Sequence, residues 1–241
     1  TMIKSFFPFL ALFVAILASS CSSVNKFAVD SSSSLFLEFS DAIKEQDNVE
    51  LVKEALGSNL LSMESLLSVS EGNKNLLAAL TKTYVTYASL INETEMMEEA
   101  FVNLKAEKAK KQAIINYSKA INYGLKYLTQ YEVTYENLTS KLNESQGIVL
   151  LLDKKLSDKK INHEVVFFTA QALMALSALK KDETTFSSQE ALGKAMLNWS
   201  CLRNASIEYG ACQIFHGLDS KYAKEVFSQA IENHPHNWFI R

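Results

Sequence analysis

The chain has 241 residues, with 24 Lys and Arg against 27 Asp and Glu and a formal net charge of -3 at pH 7. That balance excludes a nucleic-acid partner recruited by a basic excess and leaves no acidic block to act as a solvating tail. Only seven Gly and two Pro occur, which excludes sandwiches and barrels with their closely spaced turns and predicts an all-α body.

Residues 1–20 read as a signal peptide. Lys4 precedes an apolar run from Phe6 to Leu17, which at about 12 residues is too short for a bilayer that needs about 20. Ala18, Ser19 and Ser20 then lead into Cys21, an order that resembles a bacterial lipobox and predicts an acylated Cys21 as the first mature residue. An ordinary secretory signal with a chance cysteine stands as the alternative, because Ala18 and Ser20 occupy places where a lipobox usually has Leu and Gly or Ala. Thr1 ahead of Met2 reads as a leftover of the reading frame. Residues 21–45 are polar, with Ser31 to Ser34 contiguous, and predict a tether that lets the body stand off the membrane. Residues 46–241 form the predicted helical domain.

Within that domain apolar residues recur at helical spacing. Leu60, Met63, Leu66 and Leu67 make one stripe, and Leu76, Leu77, Leu80, Tyr84, Tyr87 and Ala88 the next, with the break at Ser70 to Asn73. A long pattern runs from Met96 to Tyr127, charged between Lys105 and Lys111, where a solvated face is expected in preference to a site for an anionic partner. Thr129 to Asn162 is less regular, with short helices expected around Leu150 to Leu156. Further helices are predicted over Glu164 to Leu179, Ser188 to Ser200, Ala205 to Gly217 and Tyr222 to Asn233.

A tetratricopeptide-like spacing runs through these elements. The pattern places small residues where two helices cross and an aromatic ring between them, as A-x3-F-x2-A followed by Pro. Ala223, Phe227, Ala230 and Pro235 match it, and Ala113, Tyr117 and Ala120 match it again. No regular period accompanies the matches, so the expected architecture is a set of degenerate tetratricopeptide-like helical hairpins stacked as a solenoid or bundle.

Three cysteines occur. With Cys21 lipidated, Cys201 and Cys212 remain as an even pair in an oxidising compartment and predict a disulfide, which requires a turn near Leu202 to Ser206; two buried free thiols are the alternative. Six tripeptides, at Asn92, Asn116, Asn137, Asn143, Asn198 and Asn204, match a glycosylation acceptor through composition alone. His234 and His236 lack a third ligand nearby, and Glu98 and Glu99 lie in charge-rich faces, so neither a metal site nor a catalytic group is predicted. No cofactor is implied, and the chain is not expected to be an enzyme.

Taken in order, Ser58 to Leu67, the stretch to Tyr87 and Ala88, Tyr123 to Leu128, Phe167 to Leu173 and His234 to Trp238 resemble the T component of tripartite ATP-independent periplasmic (TRAP) transporters, the TatT lipoproteins. The resemblance implies a homotrimer that docks the periplasmic solute-binding P component, with a pore or cleft in each protomer for an apolar or organic-acid ligand. It also implies a lipid-anchored, periplasm-facing location, at the outer membrane by analogy. Relatives carry a glycine-rich loop where Gly217 to Tyr222 is short, and they continue with further helix, so the chain is expected to be clipped at Arg241. Phe167, Phe168, Trp199 and Phe215 are candidates to line the ligand tunnel through this resemblance alone; as single residues they read as hairpin core. The rival reading is a generic tetratricopeptide lipoprotein that scaffolds envelope assembly and has no solute role.

Overall fold

The structure, a computed structural model, describes residues 24–43, 46, 48–101, 107–180 and 187–201. Among them every regular element is a helix and none is a strand, so the fold is all-α. The signal peptide, Cys21, Cys212, Phe215, Ala223, Phe227, Ala230 and the two last predicted helices lie outside the described residues.

Helix α1 covers residues 24–32, followed by α2 (Ser34–Ala42) and α3 (Val49–Val69). Next come α4 (Lys74–Tyr87), a π-helical turn (Ala88–Asn92), α5 (Glu93–Phe101) and α6 (Glu107–Thr129). The short α7 (Tyr135–Ser140) and α8 (Gly147–Lys155) lead to α9 (Lys160–Leu179) and α10 (Ser187–Cys201). Three helix starts are fixed by side chains that accept an otherwise unbonded backbone N–H. Asn48 takes that of Leu51 at 3.1 Å, Asn73 that of Leu76 at 2.9 Å, and Thr134 that of Asn137 at 3.2 Å.

The core is built around α4. Every residue from Leu76 to Thr86 is buried, because α2, α3, α6 and α9 all pack on it. A helix enclosed on all sides has to be apolar or internally bonded around its circumference, and the Thr81 hydroxyl donates to the Leu77 carbonyl at 2.7 Å. Helices α4, α6 and α9 pack on one another, and α10 packs on α9 and α8. Ala113, Tyr117 and Ala120 are all buried in this core. The Met96 to Tyr127 pattern divides between α5 and α6.

One expectation is overturned. The predicted tether over residues 21–45 is, where described, two helices docked on the body. Val29 is buried in the main core, with Phe36 and Leu37 packed against it. Asp30 accepts hydrogen bonds from the Ser70 hydroxyl and the Asn73 amide, both at 2.7 Å, and Asn75 donates to the Ser33 hydroxyl at 3.1 Å. The serines do not break the helices because their hydroxyls turn back to their own backbone, Ser33 to the Asp30 carbonyl at 2.9 Å and Ser40 to that of Leu37 at 2.7 Å. Serine-rich composition misled because the spacing of Val29, Phe36 and Leu37 carries the burial.

Candidate functional site: a cleft between α5, α6, α9 and α10

The widened backbone turn at Ala88–Asn92 is tied to α6 by two successive side chains. Asn116 donates to the Asn92 side chain at 2.8 Å, and the Tyr117 hydroxyl donates to a Glu93 carboxylate oxygen at 2.6 Å. Burial first, and then the Glu93 charge, push the Tyr117 phenol well above its ordinary range, so it stays a donor at physiological pH. This pairing floors a cleft of about 460 Å³. Ser89, Glu93 and Met96 form one wall; Gln171, Met174, Ala175, Ala178 and Leu179 of α9 form the other, with Glu190 of α10 at its edge.

The α9 wall follows from sequence spacing. Positions 171, 174, 175, 178 and 179 are separated by three and four residues, which puts them on one helical face. Alanines at 175 and 178 leave the volume open, and the methionines supply flexible, polarisable walls that accept ligands of varied shape. The Gln171 carbonyl oxygen is buried and has no hydrogen-bond partner among the described residues. A buried acceptor in that state costs about 1 to 3 kcal/mol unless water or a ligand satisfies it. Among the described lining residues no Lys, Arg or His occurs; the charges are the carboxylates of Glu93 and Glu190, the latter paired with Lys194 at 2.6 Å.

Other polar clusters are structural in geometry. One Glu64 oxygen accepts from the Tyr84 and Tyr123 hydroxyls, each at 2.7 Å, and from the Lys119 ammonium at 2.8 Å, knotting α3, α4 and α6 together. Lys82 and Glu164, with side chains 3% and 10% exposed, stand 3.7 Å apart, and Lys160 approaches the other Glu164 oxygen at 3.3 Å. Such a pair balances desolvation against mutual attraction and adds little net stability, but removing one partner strands the other. His163 lies 2.8 Å from Asp158 and against the Trp199 ring. Among the described residues no group of three His, Cys, Asp or Glu side chains is placed to hold a metal ion, and no helix is long and apolar enough to cross a membrane.

Of the aromatic residues singled out from sequence, Phe167, Phe168 and Trp199 are buried in the main core, and none lines this cleft. The first two meet edge to face, and the Trp199 indole donates to Asp153 at 2.8 Å. Cys201 is disulfide-bonded, to a partner outside the described residues. Met96, Gln171 and Met174 were not singled out, although the small and methionine residues recurring on one face of α9 carry the signal.

Residues 45–227 match the family described as TRAP transporter T-component. The chain belongs to that family. The T-component assignment gives it a role in TRAP transport. No curated protein matches the chain. The matched segment takes in every residue described as lining the cleft and starts after α1 and α2.

Proposed function

We propose that this T component is a lipid-anchored, periplasm-facing scaffold of a TRAP uptake system that docks the solute-binding P component and passes it ligand through the α5–α6–α9–α10 cleft. Gln171, whose side-chain oxygen has no partner among the described residues, lines this cleft beside Met96, Met174 and Leu179 and carries the reading, since ligand sites combine apolar walls with a few placed polar groups. With only carboxylates as charged lining groups, the cleft favours an apolar molecule bearing a hydrogen-bond donor over an organic acid. Anchoring through an acylated Cys21, assembly as a homotrimer and an outer-membrane site belong to the same proposal. They are supported by the lipobox-like signal and by family membership.

Chemical crosslinking in cells, followed by affinity purification of the tagged full chain, tests the docking role. A periplasmic solute receptor is the expected dominant partner, and its recovery should fall when Cys21→Ser frees the chain from the membrane. Recovery of envelope-assembly proteins with no solute receptor would replace this reading with the generic scaffold.

A further inference from the structure

Helix α1 has two unlike sides. Val29 is buried in the main core, and Asp30 is gripped by Ser70 and Asn73 at the α3–α4 turn, so the helix is fixed to the body. Val24 and Phe27 are 61% and 73% exposed. At about 100° per residue they stand roughly 140° and 160° around the helix from Val29. Leu35, at the start of α2, is 61% exposed as well. Lys26 lies exposed between the first two in sequence, one turn before Asp30, whose carboxylate it neighbours and which also accepts from Ser70 and Asn73 at the α3–α4 turn.

We propose that α1 lies in the membrane interface, with Val24 and Phe27 inserted at the headgroup–acyl boundary, and holds the body against the bilayer in one orientation. The inference rests on acylation of Cys21. Three peptide steps from Cys21 to Val24 reach at most about 11 Å, and the headgroup layer on each side of a bilayer is roughly 5 to 8 Å deep. The first turn of α1 is therefore held within a few Å of the headgroup layer once the anchor is inserted. An amphipathic helix there buries its apolar face by about 5 to 10 Å, with basic side chains directed to the headgroups, which is the arrangement of Val24, Lys26 and Phe27. Because Val29 fixes the opposite side and Asp30 the flank between it and Phe27, the lipid contact sets the height and tilt of the whole described body.

The test uses the full acylated chain reconstituted in phosphatidylethanolamine–phosphatidylglycerol vesicles, with and without shallow-brominated acyl chains. Phe27→Trp replaces an exposed ring and leaves the core untouched. Its added emission, measured against the parent chain's own tryptophans, is expected to shift to the blue and to be mostly lost on bromination. Vesicle flotation is scored in parallel. A chain that floats while the new indole stays unquenched and open to aqueous iodide overturns the interfacial helix and leaves the lipid anchor standing. Flotation with an indole shielded from both quenchers overturns it in favour of a protein contact, such as a second copy. Loss of both flotation and quenching overturns the anchor and this inference together. A Val24→Ser, Phe27→Glu double variant, which alters only exposed positions, should remain anchored yet lose the amide-exchange protection that vesicles give residues 24–32; unchanged protection counts against the proposal.

Discussion

A β-carbon added to Gly124 of α6 would lie 2.0 Å from the Thr169 hydroxyl oxygen of α9 and 3.1 Å from its β-carbon. The crossing of these two helices is thus set by the absence of a side chain on one and a branched one on the other. Thr169 cannot easily turn away, since its hydroxyl donates to the Val165 carbonyl at 2.6 Å and β-branched side chains have few rotamers in a helix. Gly124→Ala should destabilise the fold by about 1 to 3 kcal/mol through overpacking, despite its better helix propensity. Denaturant unfolding of a double-mutant cycle with Thr169→Ala checks this: the pair should recover much of the loss.

The Glu64 knot makes stability depend on acid pH. Burial pushes its carboxyl up, but hydrogen bonds from Lys119, Tyr123 and Tyr84 together outweigh it and hold the group below its ordinary 4.5. A lowered folded-state value contributes stability above the unfolded value, which is lost as pH falls through the folded one. Glu64→Gln should cost about 1 to 3 kcal/mol at neutral pH, and the difference from the parent should shrink below pH 4.5. Urea unfolding at several pH values measures it; a difference independent of pH would show that the charge contributes nothing.

Tyr117 is both wedge and cleft floor. Tyr117→Ala should cost about 3 to 5 kcal/mol, as for other large buried rings, whereas Tyr117→Phe keeps the ring and loses only the bond to the Glu93 carboxylate, about 1.5 to 3 kcal/mol. Ala113→Leu should overpack the same crossing by about 1 to 3 kcal/mol. Melting curves of the three variants rank them.

The cleft can be filled without disturbing the core, because Ala178 is exposed at its rim. Ala178→Trp should leave the melting temperature within a few degrees of the parent and abolish binding of an alkyl-alcohol or alkylamine probe, followed by calorimetry. The parent should bind such probes more tightly than the matching alkyl carboxylate, since carboxylates already line the cleft. Equal affinity for the carboxylate would reverse the ligand preference proposed above.

Cys212 is proposed as the partner of Cys201. A bridge between them closes a loop of about 12 residues and contributes around 3 kcal/mol, chiefly by restricting the unfolded chain. Non-reducing peptide mapping should recover the crosslinked pair, and an alkylated free Cys212 would assign the bridge elsewhere.

Helix class and several boundaries were legible because their signals are local. The break at Ser70 to Asn73 falls where the α3 stripe ends and Asn73 caps α4, and the alanine–tyrosine spacing of α6 marked residues that are buried in the core. Two features were not legible. Serine content in residues 22–40 outweighed the three apolar residues that dock α1 and α2, since composition averages over faces. The resemblance alone marked Phe167, Phe168 and Trp199 as wall candidates, while as single residues they read as the core in which they lie; hydrophobicity reports burial without saying whether the neighbour is protein or empty space. The cleft arises instead from small residues on α9 opposite a π turn, a tertiary coincidence.

That π turn gives the cleft a numerical requirement. Its i to i+5 bonding holds an extra residue relative to an α turn, so α5 is phased by residue count as well as by residue type. Straightening Ala88–Asn92 into an uninterrupted α-helix with all its residues kept would rotate everything downstream by about 100°. Glu93 and Met96 would then swing off the wall while every side chain that now lines it stayed in the sequence. A relative that lacks one residue in this segment would instead run as a plain α-helix there and still present the same side chains to the cleft.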